Sequence, residues 1–267
     1  MTDGTPKARP TSNQAVIIAV GTELLFGTTV NTNAAEISKM LHEIGIGVLA
    51  HHTVGDNPKR LKRTLDIAFE QADLVLVTGG LGPTQDDLTK EVIAEHFALE
   101  LEHDEEAQRR LTTFFESIGC PDFTENNLKQ TYLPHGCIPF YNNAGTAPGF
   151  ALHDPQSDKL IIALPGPPRE MRRMMDDSVL PYLTGRSRYT IYSETLSYFG
   201  IGESNLETIL LPIIDGQTDP TVATYAKEGE CKVRITSMRE DADAAKAAVR
   251  EMVERAEGLV AAYREAE

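Results

Sequence analysis

Three acids and three glycines carry the chemistry this sequence offers. Asp86 and Asp87 follow the turn Gly79-Gly80-Leu81-Gly82-Pro83-Thr84. Glycine lets a ligand approach the backbone closely, and clustered N–H groups favour an anion, most often a phosphate. Acids beside a phosphate site repel it unless a cation intervenes. Mg²⁺ is commonly held by one or two carboxylates together with substrate phosphates. The pattern therefore points to a phosphate-plus-metal site. Glu23, in the turn Gly21-Thr22-Glu23-Leu24-Leu25-Phe26-Gly27, is a third acid for the same site. These residues also have a plain reading. Thr84-x-x-Asp87 is a capping box that needs no ligand, and acids suit a first helical turn. Glu23 alone also reads as an ordinary loop acid.

The elements that must position them follow from apolar spacing. Ala15 to Val20 and Asp73 to Val77 are short apolar runs that read as buried parallel strands, each ending in one of the two turns. After Thr84 a helical spacing begins with Leu88, Val92, Ile93 and Phe97. Thr32 or Asn31 caps a helix carrying Ile37, Leu41 and Ile44, ended by Gly45. Ile46 to Val54 is the next strand. Asn57 and Pro58 then start a helix with Leu61, Leu65 and Phe69 on its buried stripe. Strands alternating with helices predict right-handed crossovers and a doubly wound, mostly parallel α/β sheet. Ligands bind such sheets outside the carboxyl ends of the strands.

Further along, Glu102 to Gly119 holds a helix, and Asn126 to Gln130 is helical or turn-like. Leu133 to Tyr141 is a loop or edge strand broken by Pro134 and Pro139. Asn143 to Gly149 is a third glycine-bearing loop. Lys159 to Leu164 is a last apolar strand, ending in Pro165-Gly166-Pro167-Pro168 before a helix that reaches about Val179. The ligand-facing set read from these loops is Thr22, Gly79, Gly80, Leu81, Gly82, Thr84, Gly145, Thr146 and Gly166. A boundary falls near Pro181–Arg188. Beyond it the order is strand, helix, strand, strand, helix, with Lys227 to Glu230 as the hairpin and Leu259 to Tyr263 as one more short strand. Three segments result: a disordered tail over 1–14, a first domain over 15–183 and a second over 188–267. Lys227, on the second domain, either reaches an anionic substrate or is an exposed structural lysine.

Bulk numbers narrow the function classes. Lys+Arg 25 against Asp+Glu 40 gives a net charge of −15, a poor start for general binding to nucleic acid or an anionic membrane. A phosphorylated substrate must then be met by backbone N–H groups, a metal or a few placed cations. Cys120, Cys137 and Cys231 form no CxxC and argue against a disulfide frame or a zinc site. His51 and His52, adjacent on a strand, point to opposite faces and make poor joint metal ligands. The polar start lacks the apolar core of a signal peptide, so the cytoplasm is expected.

Several ordered blocks resemble the CinA family. They are Gly21-Thr-Glu-Leu-Leu, Val54-Gly-Asp, Gly79-Gly-Leu-Gly-Pro-Thr-x-Asp-Asp-x-Thr89, Asn127-x-Lys-Gln, Gly145-Thr-Ala-Pro-Gly, Leu164-Pro-Gly-Pro-Pro-x-Glu-Met, Gly200-Ile-Gly-Glu-Ser and Pro220-Thr-Val-Ala-x-Tyr-Ala-Lys227. The resemblance spans residues 15–265. It implies a first domain of the molybdopterin-binding-like fold shared by the Mog and MoeA proteins, and a second, KH-like βαββα domain. It also implies metal-dependent hydrolysis of the pyrophosphate in a nucleoside diphosphate sugar, ADP-ribose giving AMP and ribose 5-phosphate. The metal would be Mg²⁺, Mn²⁺ or Co²⁺, with K⁺ alongside, and the assembly a homodimer. Many CinA proteins carry a third domain that deamidates nicotinamide mononucleotide; this sequence stops before it, so that activity is not transferred. Two alternatives stay open. One is a molybdopterin-binding or adenylyl-transfer protein of molybdenum-cofactor synthesis. The other is a non-catalytic nucleotide module partnering a nicotinamide mononucleotide deamidase. Two departures stand out: Thr22-Glu23 replaces the Gly-Asp of many relatives, and the KH-like region lacks the GxxG loop that clamps nucleic-acid backbone.

On this reading the Gly79–Thr84 backbone cradles one phosphate, Asp86 and Asp87 with Glu23 hold the metal, and one acid orients the attacking water. Successive residues on a helix lie about 100° apart, so Asp86 and Asp87 serve the site equally only outside a helix. Asp87 is the favoured residue, because its position recurs in the Mog branch.

Overall fold

The computed structural model describes residues 14–120, 124–186, 190–227 and 229–261, the side chains of Ala226 and Lys227 excepted. The expected disordered tail lies outside these residues but for Gln14, which begins the first strand. Two compact units divide the chain. The first holds residues 14–42 and 46–186, the second 43–45 with 190–261. The expected boundary near Pro181–Arg188 brackets this division.

In the first unit the order is β1 (Gln14–Val20), α1 (Thr22–Leu25), α2 (Thr32–Glu43), β2 (Gly47–Val54), α3 (Pro58–Gln71), β3 (Leu74–Thr78), α4 (Thr89–His96), β4 (Leu101–His103) and α5 (Glu105–Ser117). There follow α6 (Glu125–Leu128), a 3₁₀ turn at Lys129–Thr131, β5 (Tyr132–Pro134), β6 (Ile138–Phe140), β7 (Gly149–Asp154), β8 (Lys159–Leu164) and α7 (Pro168–Met174). A wide turn at Met175–Val179 leads into α8 (Leu180–Arg186). The main sheet runs β2-β1-β3-β8-β7-β6. β2, β1, β3 and β8 are mutually parallel, while β7 and β6 are antiparallel additions at one edge. The mostly parallel, helix-covered sheet expected from the sequence is the fold observed. Parallel strands covered on both faces are apolar throughout. β3 is buried at every position, and Val16, Ile18, Val75, Val77, Ile161 and Ala163 meet Leu61, Leu65, Phe69 and Ile93 in one core.

Caps fix the helix starts. Asn31 Oδ1 accepts from the Ala34 N–H at 3.1 Å, and Asn57 Oδ1 from the Arg60 N–H at 3.0 Å with Pro58 behind it. One start differs from expectation. α4 begins at Thr89, so Asp86 and Asp87 lie in the turn before it and not in a first helical turn.

The second unit is β9 (Thr190–Phe199), α9 (Glu203–Ile214), β10 (Thr221–Lys227), β11 (Glu230–Arg239) and α10 (Ala242–Val260). Its antiparallel sheet runs β10-β11-β9, with Leu196, Tyr198, Val233 and Ile235 packed on Leu206, Leu210 and Val249. This is the expected βαββα unit. The short strand expected from Leu259 does not form: Leu259 and Val260 are the last residues of α10, and 262–263 lie outside the described residues. Among the described residues no helix is long and apolar enough to cross a membrane.

Candidate functional site

The strand order reverses between β1 and β3. The chain runs from β1 to β2 on one side of β1, then returns to place β3 on the other. At such a switch point the loops leaving the two strands part and leave a crevice. The turns carrying Glu23 and Gly79 leave the carboxyl ends of these strands.

Their closeness is enforced by glycine. Gly79 has φ +103°, a region side chains rarely enter, and a Cβ there would be driven into the Val20 carbonyl oxygen. The Gly79 N–H donates to the Leu164 carbonyl of β8 at 3.0 Å, and a Cβ on Gly166 would stand 3.5 Å from Gly79 Cα. Three loops thus meet backbone to backbone. Asn33 of α2 ties them, its Nδ2 donating to Thr78 Oγ1 at 2.9 Å and to the Gly166 carbonyl at 2.8 Å. Thr78 Oγ1 donates in turn to the Pro165 carbonyl at 2.8 Å. Glu23, Asn33, Thr78 and Gly166 line a cavity of about 90 Å³ here. Asn33 is 8% exposed, and its Oδ1 is buried with no hydrogen-bond partner among the described residues. A buried amide oxygen without a donor is costly, and such groups mark places where a ligand or water completes the bonding.

Asp86 and Asp87 converge on one hydroxyl. Thr84 Oγ1 lies 2.5 Å from Asp87 Oδ2 and also bonds Asp86 Oδ1. A hydroxyl has one proton, so it donates to only one carboxylate at a time. The Thr84 N–H donates to Asp87 Oδ2 at 2.9 Å, and the Asp87 N–H returns to the Thr84 carbonyl at 3.3 Å. Half of the capping box read from the sequence is present, the Asp87 side chain reaching back to the Thr84 N–H; the Asp87 N–H bonds the Thr84 carbonyl instead of its hydroxyl, and the pairing closes a free-standing turn. Gly82 leaves room for this carboxylate, since a Cβ there would meet Asp87 Oδ2 at 2.5 Å unless the side chain shifted. The Thr84 hydroxyl, with the backbone of Asp86 itself, holds the Asp86 carboxyl below the usual carboxylate range.

A pair of lysines fastens this turn. Lys129 Nζ donates to the Thr84 carbonyl at 3.1 Å and to the Asp87 carbonyl, and stands 3.5 Å from Glu91 Oε1. Lys90 is 2% exposed and donates to the Lys129 carbonyl. Burial pushes its amine down to about 8. Beyond Lys129, Gln130 Oε1 accepts from Thr146 Oγ1 at 2.8 Å, which joins the third glycine loop to the same framework. Asn142 Nδ2 donates to the Ala147 carbonyl at 3.1 Å and to Glu170 Oε2 at 2.7 Å, and Gly145 leaves room for that carboxylate.

The structure thus brings Gly79, Gly80, Leu81, Gly82, Thr84, Asp86 and Asp87 into one turn, with Gly166 against it. Glu23 lines the adjoining small cavity. Thr146 is connected through Gln130 and Lys129. It does not gather all three acids: among the described residues no three His, Cys, Asp or Glu side chains form a group that could hold a metal. The expected set of Asp86, Asp87 and Glu23 is thus not gathered into one cluster: Asp86 and Asp87 are folded onto Thr84, while Glu23 sits in the turn after β1. Thr22 is also spoken for. Its N–H donates to Asp56 Oδ2 at 2.8 Å and its hydroxyl accepts from the Asp56 N–H at 3.1 Å. The side chain of Lys227 lies outside the described residues. Sequence reasoning missed Asn33, Thr78, Lys90 and Lys129. Only Lys129 left a signal, inside the Asn127-x-Lys-Gln block.

Comparison with known proteins agrees with this fold. Residues 16–185 match the family described as "Probable molybdopterin binding domain", and residues 193–263 match "Damage-inducible protein CinA KH domain". A CinA-like protein of Dictyoglomus turgidum is 51% identical over 221 residues, covering 83% of this chain and 53% of its own length. A CinA-like protein of Dictyoglomus thermophilum is 48% identical over 238 residues, covering 89% and 57%. The chain spans about half the length of the curated relatives it matches. Among solved structures, a CinA protein of unknown function from Thermoplasma acidophilum superposes with a TM-score of 0.57 and 37% identity, over 63% of this chain and 97% of that one. With the parallel sheet, the switch-point glycine turn and the βαββα unit in that order, the chain belongs to the CinA family: a molybdopterin-binding-like domain followed by a CinA KH domain.

Proposed function

We propose that the first unit hydrolyses the pyrophosphate bond of a nucleoside diphosphate sugar, with ADP-ribose giving AMP and ribose 5-phosphate. The observation that carries this reading is the Asp86–Asp87 pair sharing the single proton of Thr84, at the end of the glycine turn that follows β3. The Thr84 hydroxyl and N–H together satisfy Asp86 Oδ1 and Asp87 Oδ2, and Asp87 Oδ1 is left without a donor among the described residues. Hard oxygen donors so arranged fit a hard divalent cation. Asp86 and Asp87 would hold it, and Mg²⁺, Mn²⁺ or Co²⁺ would there neutralise phosphate charge and make a bound water more acidic.

The chain's own residues do the rest. The N–H groups of Gly80, Leu81 and Gly82 receive a phosphate, those of Gly79 and Thr84 being bonded to the Leu164 carbonyl and to Asp87. Lys129 holds the turn's carbonyls inward and keeps both carboxylates at the mouth. Asp87 Oδ2 is fixed by Thr84, and its Oδ1 has no partner among the described residues. That oxygen orients the attacking water and accepts its proton. The water oxygen bonds to one phosphorus, the bridging P–O bond breaks, and both halves leave as phosphate monoesters.

A second reading has one specific observation behind it, the match of residues 16–185 to a molybdopterin-binding family. Molybdopterin would place its phosphate on the same turn. The experiment is product analysis of ADP-ribose incubated with each metal in turn, on the wild type and on Asp87→Asn. The proposed reading gives AMP and ribose 5-phosphate from the wild type and none from the variant. Saturable molybdopterin binding with no turnover of ADP-ribose under any metal would replace it by the second.

A further inference from the structure

A second, larger cavity of about 720 Å³ lies beside the Asn143–Gly149 loop, between α5 and the start of α7. Its size suits a ligand of nucleotide dimensions. Its lining is unusual for so acidic a chain: Arg109, Arg110 and Arg169 face it, and no Asp or Glu does. Tyr141 and Phe114 supply flat walls, and Phe114 is 37% exposed although aromatic. The guanidinium of Arg110 lies over the Tyr141 ring, 4.7 Å from its centre.

These cations are held ready. Glu106 accepts from Arg109 Nη2 at 2.6 Å and from Arg110 Nε at 2.6 Å, and these two guanidiniums hold its carboxyl down to about 2. Arg110 Nη1 donates to Asn143 Oδ1 at 3.3 Å. One carboxylate thus positions two guanidiniums and leaves a positive excess. Arg169, exposed just inside α7, takes part in no hydrogen bond or ion pair among the described residues. Arginine forks match phosphate oxygens, and guanidinium and aromatic planes stack on bases. The cavity also adjoins the site already described, because Thr146 lines it and bonds Gln130 next to Lys129.

We infer that this cavity binds the nucleoside monophosphate half of the substrate, with its phosphate on the arginines and its base against Phe114 and Tyr141. This rests on the proposed hydrolysis for the word substrate, but the binding itself does not need turnover. Because the arginines supply the charge, a nucleoside monophosphate binds here without a divalent metal.

The test is calorimetric titration of AMP into the full chain in the presence of EDTA. AMP binds saturably, and adenosine and ribose 5-phosphate each bind about tenfold more weakly or worse. Arg169→Ala and Arg110→Ala each weaken AMP by about tenfold or more. Arg169→Ala leaves the fold intact, since Arg169 makes no hydrogen bond or ion pair among the described residues. Asp87→Asn binds AMP like the wild type. Unchanged AMP affinity in both arginine variants, or no saturation at concentrations on the order of 1 mM, overturns the inference. Ribose 5-phosphate binding as tightly as AMP overturns the nucleoside assignment. If the wild type lacks ADP-ribose turnover yet binds AMP through the arginines, the hydrolysis fails and the cavity stands. If turnover is seen but the arginine variants bind AMP and turn over ADP-ribose unchanged, the cavity fails and the hydrolysis stands.

Discussion

The two ends of the main sheet hold similar polar groups and treat them in opposite ways. At the amino end of β8 a cavity of about 570 Å³ is lined by His96, His135, His153 and Lys159. There each histidine has its own acid: His96 with Asp66 at 3.4 Å, His135 with Glu102 at 2.8 Å and His153 with Asp158 at 3.0 Å. Lys159 rests over the Phe69 ring at 5.0 Å. At the carboxyl ends of β1 and β3 the bonding does not close. Two carboxylates share one hydroxyl, and among the described residues the buried Asn33 Oδ1 has no donor. The size of a cavity does not separate the two ends, since the closed one is much larger than the 90 Å³ space beside Glu23. What separates them is unmet bonding capacity, and that is where a ligand adds free energy.

This contrast can be broken most sharply by Asp87→Asn. The amide keeps an oxygen for the Thr84 N–H but loses the charge. We expect ADP-ribose turnover to fall by roughly a thousandfold, as loss of a metal-holding or proton-accepting group does. The thermal midpoint stays close to that of the wild type. Gly79→Ala comes next. It forces a side chain into a left-handed conformation and against the Val20 carbonyl, so chemical denaturation should show a loss of about 3 kcal/mol or failure to fold.

Lys90→Met sharpens the comparison through pH. The folded amine sits at about 8 against 10.5 in the unfolded chain, so the fold binds fewer protons than the unfolded state between these values. The cost of burying the charge is fully present below pH 8 and is relieved as pH rises toward 10.5. Lys90→Met should therefore be more stable than the wild type at pH 7, by about 2 kcal/mol once a lost hydrogen bond is subtracted. That advantage should shrink by pH 10, measured as the difference between two denaturation curves. The smallest effect belongs to the closed end. His153→Gln removes an exposed pair worth about 0.5 kcal/mol and should leave turnover unchanged. A large loss of turnover there would mean that the two ends do not differ as described.

Much of this was legible in the sequence, for identifiable reasons. The runs at β1, β3 and β8 are apolar throughout because both faces of the sheet are covered, and the Asn57–Pro58 start of α3 writes its own cap. The start of α4 was not legible. Leu88 fits the helical spacing, but Asp87 is held back on Thr84 and the first helical residue is Thr89. β7 was missed because Gly149 opens it and a turn at Pro155 follows, so it looks like the tail of a loop. Leu259 and Val260 read as a strand by residue type, yet Val260 is buried as a continuation of the α10 stripe. Lys129 stands in the Asn127-x-Lys-Gln block, but its role could not be read there, since that role is set by a turn 42 residues earlier.

The most direct measurement is Mn²⁺ binding, followed by electron paramagnetic resonance or calorimetry, with and without a non-hydrolysable methylene analogue of ADP-ribose. The account expects weak metal binding alone and at least tenfold tighter binding with the analogue, lost in Asp86→Asn and in Asp87→Asn. Equal Mn²⁺ affinity in the wild type and both variants, with the analogue present, would contradict it.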